Sequence, residues 1–276
     1  MVGVPWVSAS RALLSAKKGS AMYVYKCGSV RDLLMRCHAI AMTSDSGRWN
    51  FRGQRDSRWT LLPSLLREPE KKGIANPQEF ESRLVTNMRR VLRERTTFSA
   101  RIIDDDDIVL AIGQHYGVST RLLDWTHDPN VALYFAAADV LRGPQDEAAS
   151  LSVFAMADLY LNVGQSGRGA SFVHPPRAAN PNLAAQRGLL TKHAWDAPDL
   201  WDRSQEKLAT DPVHNVTARM DTRLVRFDLP QREAARALQT LLNSGVDGSV
   251  LFPTEYGIAR LAEELARLDL LVTAGP

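Results

Sequence analysis

Apolar residues recur at helical spacing in several stretches of the chain. Val30, Leu33, Leu34 and Cys37 share one face behind Ser29, which predicts a capped helix over Val30–Ile40. Asn76, Pro77 and Glu79 combine an N-cap, a proline at the first helical position and a glutamate three residues after the cap. Phe80, Leu84, Val85, Met88, Val91 and Leu92 then hold the helical period as far as Arg95. Asp104–Asp107 supplies acids to the first turn of another helix, which runs through Ile108, Leu110 and Ile112. Asp128 and Pro129 open a helix over Asn130–Leu141. Its Val131, Leu133, Tyr134, Phe135 and Val140 are apolar nearly all round, as a buried helix requires. Two amphipathic helices, Arg232–Leu242 and Ile258–Leu268, close the pattern.

The strand signals are shorter. Trp49–Gly53, Thr120–Leu123, Leu151–Ala155 and Ser249–Phe252 read as strands, and Leu61–Arg67 is an apolar stretch entered through Pro63 and Ser64. In Arg223–Leu229, Val225, Phe227 and Leu229 alternate with Leu224 and Arg226, the pattern of a half-buried strand. From Asn162 to Asp221 the chain is rich in Gly, Pro, Asn and Ala and reads as irregular, with Leu183–Leu190 its one apolar segment. No internal repeat or interdomain linker interrupts the order. The expectation is a single α+β domain over residues 22–276, with a small central sheet flanked by helices.

Composition narrows this picture. A hydrophobic share of 45% and a charged share of 24% suit a globular chain with a substantial core. The net charge of +3 is too small to argue for nucleic acid by itself. Cys27 and Cys37, without a second pair, exclude a disulfide scaffold or a four-thiolate zinc site and suit a reducing, cytoplasmic compartment. No apolar run approaches the ~18 residues of a membrane span, so no membrane partner is expected. Met1–Ala21 holds Arg11, Lys17 and Lys18 but no acid, a composition shared with transit peptides. It is read as a disordered leader, or a start upstream of Met22, that the fold does not need. His38, His115, His127, His174, His193 and His214 lack paired ligand spacing, so no metal is expected. Arg89, Arg90, Arg93 and Arg95 form a basic helical stretch that reads as an exposed face, with an RNA or phosphate-rich partner left open.

The candidate chemistry lies in two motifs. In Phe51-Arg52-Gly53-Gln54 an arginine ends a strand beside a glycine, where backbone can approach whatever Arg52 holds. A guanidinium there suits phosphate or carboxylate, and a structural ion pair with Asp124 is the equal alternative. Gln114-His115-Tyr116-Gly117 continues to Thr120-Arg121-Leu122-Leu123-Asp124-Trp125-Thr126. Core packing does not require Gln114, His115, Tyr116, Arg121 and Asp124 together. His115 alone reads as a hydrogen-bonded structural histidine, whereas the cluster reads as a site. The segment leads to the helix start at Asp128–Asn130, where free amides could receive an anion.

These motifs carry a resemblance. Phe-Arg-Gly-Gln at 51–54, Trp59-Thr60-Leu61-Leu62-Pro63-Ser64-Leu65-Leu66-Arg67, the Gln114–Thr126 segment and Ala132-Leu133-Tyr134-Phe135-Ala136 together resemble the FRG-domain family. Gln186-Arg187-Gly188-Leu189 and Leu251-Phe252-Pro253 are similar to its weaker later motifs. The resemblance implies a bacterial or phage setting near toxin or defence genes, with a cognate antitoxin or defence partner, and no settled activity. A weaker resemblance is to the arginine–serine–glutamate class of ADP-ribosyltransferases. It implies a fold of that type and an NAD site. Arg52 would bind the NAD phosphate or ribose, with Gly53, Gln114, Tyr116, Arg121 and Thr126 as cofactor contacts. Arg52, Asp124, His115 and Glu255 would be the catalytic group. The chain departs from that class in two ways. It lacks the serine–threonine–serine element, and Glu255 has no partner two residues earlier, so it reads equally well as a solvent-facing turn residue. The functional expectation is a toxin-like effector with a nucleotide pocket, transferring ADP-ribose to a protein or nucleic acid. The rivals are a recognition domain for a nucleotide, nucleic-acid end or phage protein in antiviral defence, and a metal-dependent nuclease using Asp124 and Glu255.

Overall fold

The computed structural model describes residues 22–43, 48–144, 146, 148–158, 170–176, 180–195, 206–210 and 224–273. The leader Met1–Ala21 and His214 lie outside them. The elements in chain order begin with β1 (Met22–Lys26), α1 (Val30–Ala41), β2 (Trp49–Gln54) and α2 (Pro77–Arg95). Next come α3 (Ala100–Ile103), α4 (Asp106–His115), β3 (Leu122–Thr126), α5 (Pro129–Arg142) and β4 (Ser150–Ala157). After these follow β5 (Ala170–Val173), α6 (Pro181–Ala185), β6 (Gly188–His193) and β7 (Glu206–Leu208). The last are β8 (Leu224–Pro230), α7 (Ala234–Asn243), α8 (Gly248–Leu251) and α9 (Glu255–Thr273).

The expected helix starts form where local hydrogen bonds pin them. The Ser29 side chain accepts from the Asp32 N–H, Asn76 from Glu79, and Asp128 from Asn130, each satisfying an amide that the helix leaves without a partner. Asp105 caps α4 by accepting from both Asp107 and Ile108. Gly117 then ends that helix at φ +84°, a backbone region that a Cβ disfavours.

One mixed sheet organises the chain, in the order β5-β6-β3-β2-β4-β8-β1-β7. The pairings from β5 to β8 are antiparallel, and β1 runs parallel to both β8 and β7. The mixed helix-and-strand class was expected, but the sheet is large rather than small. Three of its strands, β5, β6 and β7, lie inside the Asn162–Asp221 stretch expected to be irregular. Gly, Pro and Asn punctuate that stretch, while its short strands gain their stability from neighbours distant in sequence.

Strand alternation separates two cores. Val153 and Ala155 of β4, Val225 and Phe227 of β8, and Tyr23 and Tyr25 of β1 face a cluster completed by α1, α5 and α7. Phe154, Met156, Leu224, Met22 and Val24 face the other way, with Leu61, Leu123 and Trp125. A third cluster joins α2 and α4 to Leu122 and Leu190. α5 is buried nearly throughout, as its pattern predicts, and each of its fully buried leucine-sized side chains contributes about 1.5–3 kcal/mol. β8 departs from expectation, because it is buried on both faces. Its Arg226 is held by Asp228 at 2.8 Å and Glu206 at 2.9 Å, so this charge is paired inside the fold. Val91 is exposed although it keeps the period of α2. The strand expected at Ser249–Phe252 is instead the helical turn α8, opened by the Asp247 cap on Ser249 and Val250.

Candidate functional site

A cleft of about 520 Å³ opens over the middle of the sheet. Strands β2 and β3 supply its floor, α4 and α5 two of its sides, and the Asn180–Leu190 segment with Phe252 and Arg260 the remaining wall. Its volume falls in the range of small-molecule sites, roughly 300–1,000 Å³.

The floor begins where β2 and β3 register at Phe51 and Thr126. One residue later, Arg52 extends across to β3 and donates from Nη1 to the Asp124 carbonyl at 2.8 Å. Its Nε is buried with no hydrogen-bond partner among the described residues. Burial draws the guanidinium pKa down to about 10, Arg67 adds to that pull and Asp124 opposes it. Arg52 is therefore charged at neutral pH but incompletely satisfied. Gly53 lines the cleft, although its close neighbour is α5. A Cβ there would stand 1.8 Å from the Ala132 carbonyl oxygen. The glycine is needed for helix–sheet approach, which is a different reason from the ligand approach expected of it.

Asp124 sits within β3 with its side chain 61% exposed into the cleft. Gln114 donates to Asp124 Oδ1 at 2.8 Å, and its own carbonyl accepts from the Thr120 hydroxyl. The amide is thereby oriented and its N–H end faces Asp124. His115, the last residue of α4, lines the cleft with its pKa lowered by burial, so it is neutral at pH 7. Arg67 lines the same cleft, and its side chain has no hydrogen bond or ion pair among the described residues. Burial lowers its pKa, while Asp124 and Asp139 act in the opposite direction.

The far wall rests on a buried carboxylate. Glu264 of α9, 2% exposed, accepts from the Tyr134 hydroxyl at 2.5 Å, from Arg142 Nη2 at 3.3 Å and from the Gly248 N–H at 3.3 Å. Arg142 and Arg260 line the cleft above it, and the Arg260 guanidinium lies 4.7 Å from the Phe252 ring centre.

The structure thus brings Arg52, Gly53, Gln114, His115, Asp124 and Thr126 to one cleft. Thr126 is already committed, since its hydroxyl donates to the Gln186 carbonyl at 2.7 Å and accepts from the Asp128 N–H. Tyr116 does not line the cleft; it caps α4, 78% exposed, edge-on to His115. Arg121 is also elsewhere, bonded to Glu81 at 2.7 Å and the His193 carbonyl at 2.7 Å and stacked on Trp195. Burial raises the Glu81 pKa, and Arg121 partly offsets it. Glu255 is exposed at the start of α9, outside the cleft lining, so it shares no site with Asp124. The α5 amides are not open as expected, because Asp128 occupies Asn130 and pairs with Arg187. In the basic stretch on α2, which is largely exposed as expected, Arg89 pairs with Asp106, Arg90 with Glu94 and Arg93 with Asp104. Among the described residues no cluster has the makings of a metal site, and no helix is long and apolar enough to cross a membrane.

Sequence reading passed over Arg67, Asp139, Arg142 and Arg260 as site residues. Arg67 ends the Trp59–Arg67 motif, which was the available signal. The other three sit on helices whose inward faces only the packing defines.

No curated protein and no solved structure matches the chain. The family described as FRG domain matches residues 47–144, which take in β2, both sides of the Arg52–Asp124 contact and all of α5. The cleft floor, built from Phe51-Arg52-Gly53-Gln54 and the Gln114–Thr126 segment, therefore lies within the part of the chain that matches the FRG domain, and an FRG domain is present over residues 47–144.

Proposed function

We propose that the cleft binds a phosphate-bearing ligand of nucleotide type, with Arg52 and Arg67 holding the anion. The supporting observation is the pair of incompletely satisfied guanidinium groups in one cleft, Arg52 with an unpartnered Nε and Arg67 with no side-chain partner among the described residues. Arginine's planar fork matches phosphate oxygens bidentately. Gln114 and Asp124 supply a donor and an acceptor for the sugar or base. In this reading the chain is a toxin-like or antiphage effector, consistent with its FRG domain.

The catalytic form of this reading is NAD-dependent ADP-ribosyl transfer to a protein or nucleic acid. A carboxylate then faces the positive charge that develops as nicotinamide departs. Asp124 is the residue assigned to that role, because its carboxylate lines the cleft and Glu255 does not. Calorimetric titration with NAD, paired with an assay for released nicotinamide, tests both levels. Arg67→Ala should weaken NAD binding about tenfold or more, equivalent to roughly 1.4 kcal/mol. Asp124→Asn should abolish release with little loss of binding. Binding without release by the intact protein leaves a recognition domain, and no binding of any nucleotide removes the proposal.

A further inference from the structure

Among the described residues, Trp49 and Trp125 are used in one way and Trp59 in another. Trp49 and Trp125 are each 2% exposed, and each indole N–H donates to a threonine hydroxyl, Trp49 to Thr43 at 2.9 Å and Trp125 to Thr191 at 3.0 Å. Those rings are core material, with apolar bodies buried and polar edges satisfied. Trp59 is 42% exposed on the cleft lining, and its ring makes no hydrogen bond, ring or cation contact among the described residues.

The loop that carries Trp59 is nevertheless pinned. Arg58 grips the Asp56 carboxylate through Nε at 2.9 Å and Nη2 at 2.7 Å, and reaches Asp146 at 3.2 Å. Ser57 N–H donates to the Ser150 carbonyl at 2.7 Å, Gln54 donates to the Thr60 carbonyl at 3.3 Å, and Leu61 is fully buried. An indole is therefore held in the open on a fixed loop, in the cleft that also holds Arg52 and Arg67.

We propose that Trp59 is the platform on which a nucleobase stacks while Arg52 and Arg67 hold the phosphate of the same nucleotide. This rests on the phosphate-binding reading of the cleft and adds the ring as a second requirement for the ligand. A base laid on an exposed indole covers apolar area on both partners and tolerates any base, since each has a π-face. The guanidinium groups supply the complementary charge.

Adenosine monophosphate and ribose 5-phosphate, which differ only in the base, test it by calorimetry. The intact protein should bind the nucleotide about tenfold or more tightly than the sugar phosphate. Trp59→Ala should erase that difference by weakening the nucleotide alone, and its unchanged binding of ribose 5-phosphate shows the variant is folded. Trp59→Phe should keep most of the difference. Arg67→Ala should weaken both ligands by the same factor. If Trp59→Ala leaves the nucleotide-to-sugar-phosphate ratio intact, the platform assignment is wrong although the phosphate site stands. If neither ligand binds the intact protein, the phosphate site fails and the platform with it. A trinucleotide with the same 5′-monophosphate distinguishes the source: tighter binding than the free nucleotide assigns a strand end, and equal or weaker binding assigns the free nucleotide.

Discussion

Arg52 is bound to Asp124 chiefly through the backbone: its Nη1 donates to the Asp124 carbonyl at 2.8 Å, whereas the nearest carboxylate oxygen stands at 3.9 Å. The ion pair that spacing alone allowed is thus the weaker half of the contact. The carboxylate remains directed to the cleft, held by Gln114.

That division predicts how Asp124→Asn should behave. An ion pair this long, with its carboxylate side exposed, contributes about 0–1 kcal/mol. The substitution keeps the carbonyl and an oxygen for Gln114, so chemical unfolding should show a loss below about 1 kcal/mol. A loss of several kcal/mol would mean that the charge, and not the carbonyl, secures Arg52.

Gly53 carries a steric constraint with a sharp consequence. Gly53→Ala would place a Cβ 1.8 Å from the Ala132 carbonyl oxygen and 2.9 Å from the Ala136 nitrogen, both backbone atoms of a buried helix. The sheet and α5 must separate, and the expected cost is on the order of 3 kcal/mol. Thermal unfolding measures it, and an unchanged midpoint would contradict the close packing of β2 on α5.

Two glutamates of α9 should respond to substitution to very different extents. Glu264→Ala leaves the Tyr134 hydroxyl and Arg142 without their buried acceptor, and a cost of roughly 3–5 kcal/mol is expected. Glu255→Gln, at an exposed first-turn position, should stay within about 0.5 kcal/mol. It should also leave any NAD-dependent activity intact, and a large loss of turnover would return Glu255 to the reaction.

His115 gives a pH signature. Its folded pKa is lowered by burial, so between the unfolded value near 6.5 and the lower folded value the unfolded chain binds the extra proton. Stability from this group is complete above about pH 6.5 and is lost as pH falls through that window; His115→Gln should flatten that part of the stability curve. The affinity of the cleft for NAD, whose diphosphate charge is constant across this range, should rise as His115 gains its proton. A variant that keeps the same rise would place its source elsewhere.

Much of the fold was determined by sequence alone. The starts of α1, α2 and α5 followed from Ser29, Asn76 and Asp128, because a cap is a contact between residues two or three apart. The burial of α5 was legible for the same local reason, and the Phe51–Gln54 and Gln114–Thr126 motifs that the sequence singles out both contribute residues to one cleft. What those motifs do was divided by tertiary structure. β3 spans Leu122–Thr126 rather than Thr120–Leu123, so Asp124 lies within a strand whose alternation turns it to the cleft while Leu123 and Trp125 enter a core. Of the two motif arginines, Arg52 meets β3 across the ladder, and Arg121 is taken by Glu81, forty residues before it in the chain. Arg67, Arg142 and Arg260 enter the same cleft from three separate segments. Strand register, long-range ion pairing and convergence of distant helices depend on contacts between residues far apart in sequence, and local pattern carries no term for them.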